Sequence, residues 1–171
     1  MNEINLKNLS SFNNDGAIFM GAKRKIDNCK VSLLGIPYDG TSCFRPGSRF
    51  GPSAVREDSY GIETYCPQLN LDLEDIKFAD VGSLDIPLGD AKLTLSYIKD
   101  ATDTLLKNNL KPLIIGGEHS ITSGVIQSII TNYPELIMLQ LDAHADLRDE
   151  WLGSKFSHAC TMKRCLEILP S

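Results

Sequence analysis

Leu113-Ile114-Ile115-Gly116-Gly117-Glu118-His119-Ser120 carries a short apolar run into a glycine pair, and Ile121 to Thr131 continues it with helical character. The run predicts a strand over Leu113 to Ile115, restarted after Lys111-Pro112, and Ser120 stands where a side chain can cap the following helix. One β/α unit is therefore written in about twenty residues, and the same alternation recurs on both sides of it. Upstream, Val31 to Ile36 reads as a buried strand ended by Pro37, with Asp39-Gly40-Thr41 as a turn. Phe44 to Pro52 is rich in Gly and Pro, and Pro52 opens a helical turn through Arg56. Ile76 to Val81 is a second strand, followed by a turn at Asp85-Ile86-Pro87. From Ala91 to Lys107, Leu93, Tyr97, Ile98, Ala101, Leu105 and Leu106 recur at helical spacing. Downstream, Leu136 to Leu141 reads as another buried strand and Cys160 to Leu169 as a last helix. Strands separated by helices predict an α/β protein with a parallel sheet and right-handed connections.

Composition sets the class. The 171 residues suit one domain, with residues 1–30 expected as an N-terminal extension and 31–171 as the core. With 42% hydrophobic and 23% charged residues the chain reads as globular. No apolar run approaches the roughly 20 residues of a membrane helix, and the N-terminus lacks a secretory signal's apolar segment. A cytoplasmic protein with no membrane partner is expected. Seventeen basic residues against 22 acidic ones give a net charge of −5, with no basic cluster for nucleic acid. Five cysteines without a Cys-x-x-Cys pair argue against a disulfide framework and a zinc knuckle.

Chemistry concentrates in Leu141-Asp142-Ala143-His144-Ala145-Asp146-Leu147-Arg148-Asp149. On an extended segment side chains alternate, so Asp142, His144 and Asp146 are expected to face one way. His119, after its own strand, is expected at the same carboxyl edge of the sheet, where α/β proteins place their sites. Four ligands of oxygen and imidazole type, with no thiolate, suit manganese or magnesium better than structural zinc. A carboxylate such as Asp142 can bridge two ions and so serve metal-assisted hydrolysis.

The motifs together resemble the ureohydrolase (arginase/agmatinase) family, in its agmatinase branch and its N-terminal portion only. The resemblance rests on Gly35-Ile36-Pro37, Gly40-Thr41-Ser42, Arg45 to Pro52, Gly116 to Ser120, Asp142 to Asp146, and Ser157-His158-Ala159, in family order. It implies a three-layer α/β/α arginase-like fold, incomplete at the C-terminus, and a binuclear manganese centre that hydrolyses a guanidinium group. The Phe-Arg-Pro-Gly form of the first loop points to agmatine, giving putrescine and urea in polyamine metabolism; guanidinobutyrate or another guanidino acid is the alternative. His119 and Asp146 would bind one ion, His144 the other, and Asp142 both. Asp146 would also pass a proton to the departing amine, and His158 would act as proton shuttle. The expected partner is a small cationic guanidino substrate, with a homo-oligomer for the full-length protein.

Family members run well beyond 171 residues. Their later Asp-x-Asp ligand pair and the acidic residue that grips the guanidinium have no counterpart here, which leaves four of six expected ligands. In the family's sheet, late strands lie between the strand before His119 and the strand before Asp142. A gap is expected there, and the missing metal ligands are expected from a downstream segment or another chain. The competing expectation is an inactive fragment or paralogue serving as a weak metal-binding or subunit-association module.

Overall fold

A computed structural model describes residues 16–170 and the backbone of residues 12–13. In chain order its elements are β1 (Phe12–Asn13), β2 (Val31–Ile36), α1 (Gly51–Ser59), β3 (Tyr65–Cys66), β4 (Leu71–Asp72), β5 (Phe78–Leu84), α2 (Ala91–Lys107), β6 (Lys111–Gly116), α3 (Ile121–Asn132) and α4 (Thr161–Leu166). The strands β2, β5 and β6 form the expected parallel sheet, with β2 between the other two. β1 adds an antiparallel edge on β5, pairing Phe12 with Leu84, which two residues are too few to announce by periodicity. A small antiparallel ribbon, β3 with β4, stands apart from this sheet. Helices flank the sheet, and no helix among the described residues is long and apolar enough to cross a membrane.

The core is the layer between the sheet and α2. Leu34 and Ile36 of β2, Ala79, Val81 and Leu84 of β5, and Leu95, Ile98, Ala101 and Leu105 of α2 are all buried. The helix forms where its periodicity predicts, capped by the Asp90 carboxylate, which accepts from Leu93 N at 3.0 Å. Its inward stripe differs from expectation: Leu95 is buried, whereas Leu93 and Tyr97 are exposed. Thr94 and Thr102 take the other buried positions. Each satisfies its hydroxyl on backbone, Thr94 on Pro87 O and Thr102 on Ile98 O, so polar side chains fill the core side at little cost. α3 packs on α2 at Gly124, where a Cβ would lie 2.9 Å from Leu95 O.

Two expected elements are corrected. Leu136 to Leu141 forms no ladder, and Ile137, Leu139 and Leu141 are 91%, 81% and 90% exposed. The alternation of half-buried and exposed residues is that of a strand, but a strand exists through its neighbours' N–H and C=O groups. β6 is the last strand of the sheet, and no described strand lies between it and this segment. The helix expected from Cys160 to Leu169 is shorter: a 3-10 turn at His158–Cys160 leads into α4, which ends at Leu166.

One ion pair inside the fold has no signature in the sequence. Arg56 of α1 meets Asp80 of β5 with both side chains nearly fully buried, through Nε to Oδ2 at 2.7 Å and a second nitrogen to Oδ1 at 2.9 Å. The guanidinium also donates to Gly82 O and Ser83 Oγ, and the carboxylate accepts from Phe19 N and Gly82 N. Removing one partner strands a desolvated charge, so Arg56→Ala or Asp80→Ala is expected to cost about 3–5 kcal/mol in urea unfolding. Lys155→Ala, which removes only the exposed contact to Asp149, is expected to change stability by no more than about 0.5 kcal/mol.

Candidate metal centre

β2 and β6 run in register to their carboxyl ends, where Ile36 pairs with Gly116. The segments after them therefore leave the sheet side by side. Gly117 crosses the end of β2 so closely that a Cβ would lie 2.0 Å from Tyr38 O, a position open only to glycine. Glu118 N then donates to Tyr38 O at 2.7 Å, and the next residue, His119, emerges above the sheet edge.

Glu118 is a functional residue that motif reading left without a role. Its buried carboxylate accepts from Ser120 Oγ at 2.6 Å, Ser42 Oγ at 3.0 Å, Thr41 N at 3.0 Å and the Thr41 hydroxyl. The two loops are tied together through it. Ser120, expected to cap α3, makes no cap bond because its hydroxyl is committed to Glu118. The far part of the first loop is held by Asp39, whose buried carboxylate meets Arg49 at 2.5 Å and Gly47 N at 2.8 Å. The hydrogen bond from Arg49, with help from backbone N–H groups, holds the Asp39 carboxyl below its ordinary range.

The second half of the site comes from residues 142–146. Asp146 has φ +48°, a left-handed conformation that aspartate tolerates better than most residues. Its carbonyl accepts from Met162 N at 3.0 Å and Lys163 N at 3.3 Å in the first turn of α4. With the chain turned there, Asp146 Oδ2 lies 2.6 Å from His119 Nδ1, and Asp142 Oδ2 lies 3.6 Å from the same nitrogen. His119, Asp142 and Asp146 each offer a ligand atom within 4.8 Å of the others'. One imidazole and two carboxylates without a thiolate fit a hard or borderline divalent cation.

His144 stands differently. Its ring is 82% exposed and 3.7 Å from Asp142 Oδ1, outside the three-residue group. The extended run expected through Asp142, His144 and Asp146 is interrupted by a bend at residues 143–144 and by the positive φ of Asp146, so His144 lines the same cavity as the two aspartates without joining their cluster. The His144 backbone has a role of its own: its N–H donates to Asp142 Oδ1 at 2.8 Å and is the main cause holding the Asp142 carboxyl below its ordinary range. His158 lies on the wall of the same cavity, about 850 Å³, which His119, Asp142, Asp146, Cys43 and Trp151 also line. Its Nδ1 is 3.2 Å from Thr41 Oγ1 and its Nε2 is 3.7 Å from Cys43 Sγ.

Fold and site together define a parallel α/β protein with a candidate cation centre at the carboxyl edge of its sheet. The chain belongs to the Arginase family, whose model matches residues 29–170. It is 36% identical over 154 residues to an agmatinase of Bacillus subtilis, covering 90% of this chain and 53% of that one. The crystal structure of the agmatine ureohydrolase of Thermoplasma volcanium superposes with a TM-score of 0.82 at 27% identity, over 98% of this chain and 54% of that one. Proclavaminate amidino hydrolase from Streptomyces clavuligerus superposes with a TM-score of 0.77 at 28% identity, over 88% and 50%. The chain spans about half the length of the relatives it matches.

Two outcomes follow from this geometry. Manganese titration by calorimetry should show one weak site, with affinity reduced at least about tenfold in His119→Ala or Asp146→Ala and changed much less in His144→Ala. Asp39 contributes stability with a definite sign. Its folded pKa lies below the unfolded value of about 3.9, so the contribution is full above that pH and is lost as pH falls through the folded value. Acid unfolding of Arg49→Met should accordingly show a smaller loss of stability below about pH 4 than the parent chain.

Proposed function

We propose that this chain carries the amino-terminal half of the catalytic site of an agmatinase-type ureohydrolase, which hydrolyses a guanidinium group to urea and an amine. The observation that supports it best is the convergence of His119, Asp142 and Asp146 on one wall of a cavity that also holds His158. His119 and Asp146 would hold one manganese ion, Asp142 would reach a second, and His144 would join the second ion after a change in the orientation of its exposed ring. When bound, such ions supply Lewis acidity and an activated water near neutral pH.

The chain's own residues carry the rest. A guanidinium is a poor electrophile because its charge is spread over three nitrogens, so attack on its carbon needs help for the departing nitrogen as well. Asp146 would take the proton released by the attacking water and pass it to that nitrogen as its bond to carbon breaks. His158 would then exchange protons between the site and solvent. The ionised state of Asp142, favoured by the His144 N–H, places negative charge where a cationic substrate and metal must both be accommodated. Agmatine is the favoured substrate, from the form of the first loop and the agmatinase relatives. The name of the Streptomyces relative keeps another amidino substrate in view.

A second reading has its own support. The exposed Ile137, Leu139 and Leu141, together with β6 as an edge strand among the described residues, suit a module that associates with other polypeptide and binds metal without turnover. One assay separates the readings: urea release from agmatine at saturating manganese, for this chain and for a version extended to the family's full length. The extended protein should release urea, and Asp146→Asn should lower its rate by a factor of about a hundred or more. The 171-residue chain alone should stay near background. Urea release at an enzymatic rate by this chain, lost in its Asp146→Asn variant, would mean that the half-site is sufficient. Inactivity of the extended protein would favour the association module.

A further inference from the structure

The Thr41 hydroxyl has three polar neighbours and only one proton. It lies against Glu118 Oε1, 2.9 Å from His158 N and 3.2 Å from His158 Nδ1. The backbone N–H of His158 can only donate, so it occupies one lone pair of the hydroxyl. Glu118 receives donors on both oxygens: Oε1 from Ser120 Oγ and Thr41 Oγ1, Oε2 from Thr41 N and Ser42 Oγ. Four donors fill the acceptor sites of an ionised carboxylate, which has no proton to give back. The Thr41 proton therefore goes to Glu118, and the hydroxyl faces Nδ1 with a lone pair. A contact between that lone pair and the ring is favourable only if Nδ1 carries the hydrogen.

We propose that Glu118, acting through Thr41, is a positioning residue that fixes His158 as the Nδ1–H tautomer and leaves Nε2 as an unprotonated base facing the cavity. The other neighbour of the ring, Cys43 Sγ at 3.7 Å from Nε2, can donate or accept weakly, so the choice of tautomer rests on the Thr41 side. The choice of tautomer is set by what the opposite nitrogen bonds, the usual means by which a protein orients a histidine. Burial of Glu118 keeps water from competing for these bonds, and the short path from Glu118 to His158 crosses a sequence separation that no motif spans. The consequence for turnover rests on the proposed shuttle role of His158; the tautomer itself does not depend on it.

Nitrogen NMR of the metal-free chain, labelled at its three histidines and held at a pH where the imidazoles are neutral, reads the tautomer directly. His158 is assigned by its absence in His158→Ala. In the parent chain its Nδ1 should give the signal of a protonated ring nitrogen and Nε2 that of an unprotonated one. Glu118→Gln should reverse them. The Gln side-chain oxygen is needed by Thr41 N, so its NH2 group turns to Thr41 Oγ1, and the hydroxyl must then donate to Nδ1. Thr41→Val, which keeps the shape and removes the hydroxyl, should release the preference and give averaged signals. A parent chain already protonated at Nε2, or a tautomer unmoved in both variants while the backbone spectrum stays folded, would overturn the proposal. The shuttle role is read separately, by His158→Ala in the urea release of the extended protein, so either idea can fail alone.

Discussion

The buried pairing of Arg56 with Asp80 is the constraint on which the arrangement of this chain turns. Two charges removed from water are tolerable only if both are satisfied, and here the partners come from three separate stretches: α1, the strand β5 and the segment around Phe19. A slip of β5 by one residue would turn Asp80 to the other face and leave Arg56 unpaired in the interior. The pair thus selects one register of β5 and one placement of α1. Because α1 follows the long loop after β2, it also fixes the far end of the loop whose near end lines the cavity.

A second carboxylate repeats this logic at the site. Glu118 is nearly as buried as Asp80, yet its partners are hydroxyls and an N–H instead of a guanidinium. Neutral donors hold the loops without cancelling the negative charge. The wall beneath His119 and His158 therefore keeps the negative charge of Glu118 beside the candidate cation centre, where a guanidinium paired with that carboxylate would cancel it. Arg49 serves its carboxylate, Asp39, farther along the first loop, and neither residue lines the cavity.

The parallel sheet was legible because β2, β5 and β6 are short apolar runs closed by Gly or Pro, and α2 was legible from its period. The inward stripe of α2 differs from its apolar period where Thr94 and Thr102 occupy core positions, since a hydroxyl bonded to nearby backbone is buried as readily as an apolar group but does not announce itself by type. Leu136 to Leu141 shows the opposite failure: composition and alternation describe a strand, and only pairing can make one. At the site, the spacing of Asp142 and Asp146 and the glycines before His119 point to the three side chains that converge in the structure. The separation of His144 from the cluster is hidden in the sequence because a period of two holds only while the backbone stays extended, and residues 143–144 bend. Glu118 stood in plain view inside a motif. Its partners Thr41 and Ser42 are more than seventy residues away, so the hydrogen-bonding residues of Gly40-Thr41-Ser42 and Glu118-His119-Ser120 could be suspected of meeting but not paired by spacing.

The absence of a ladder at Leu136–Leu141 raises the question of how Asp142 and Asp146 reach His119 at all. The answer lies on the other side of the cluster. Asp146 is gripped from behind by the N–H groups of Met162 and Lys163, and Arg148 N reaches Ala159 O, so the chain is docked onto the α4 region after the site, with no need of a strand before it. α4 in turn packs against α3, the helix that begins two residues after His119. His119 and Asp146 are thereby both referred to the packed pair α3 and α4, and the placement of Asp146 is decoupled from the unpaired segment ahead of Asp142. The asymmetry has a chemical consequence. The backbones of His119 and Asp146 are hydrogen-bonded to the first turns of α3 and α4, while His144 is exposed and lies ahead of that docking point. The ligands of the first proposed ion are preorganised by this half of the fold, whereas the position of the second depends on whatever orders residues 136–144.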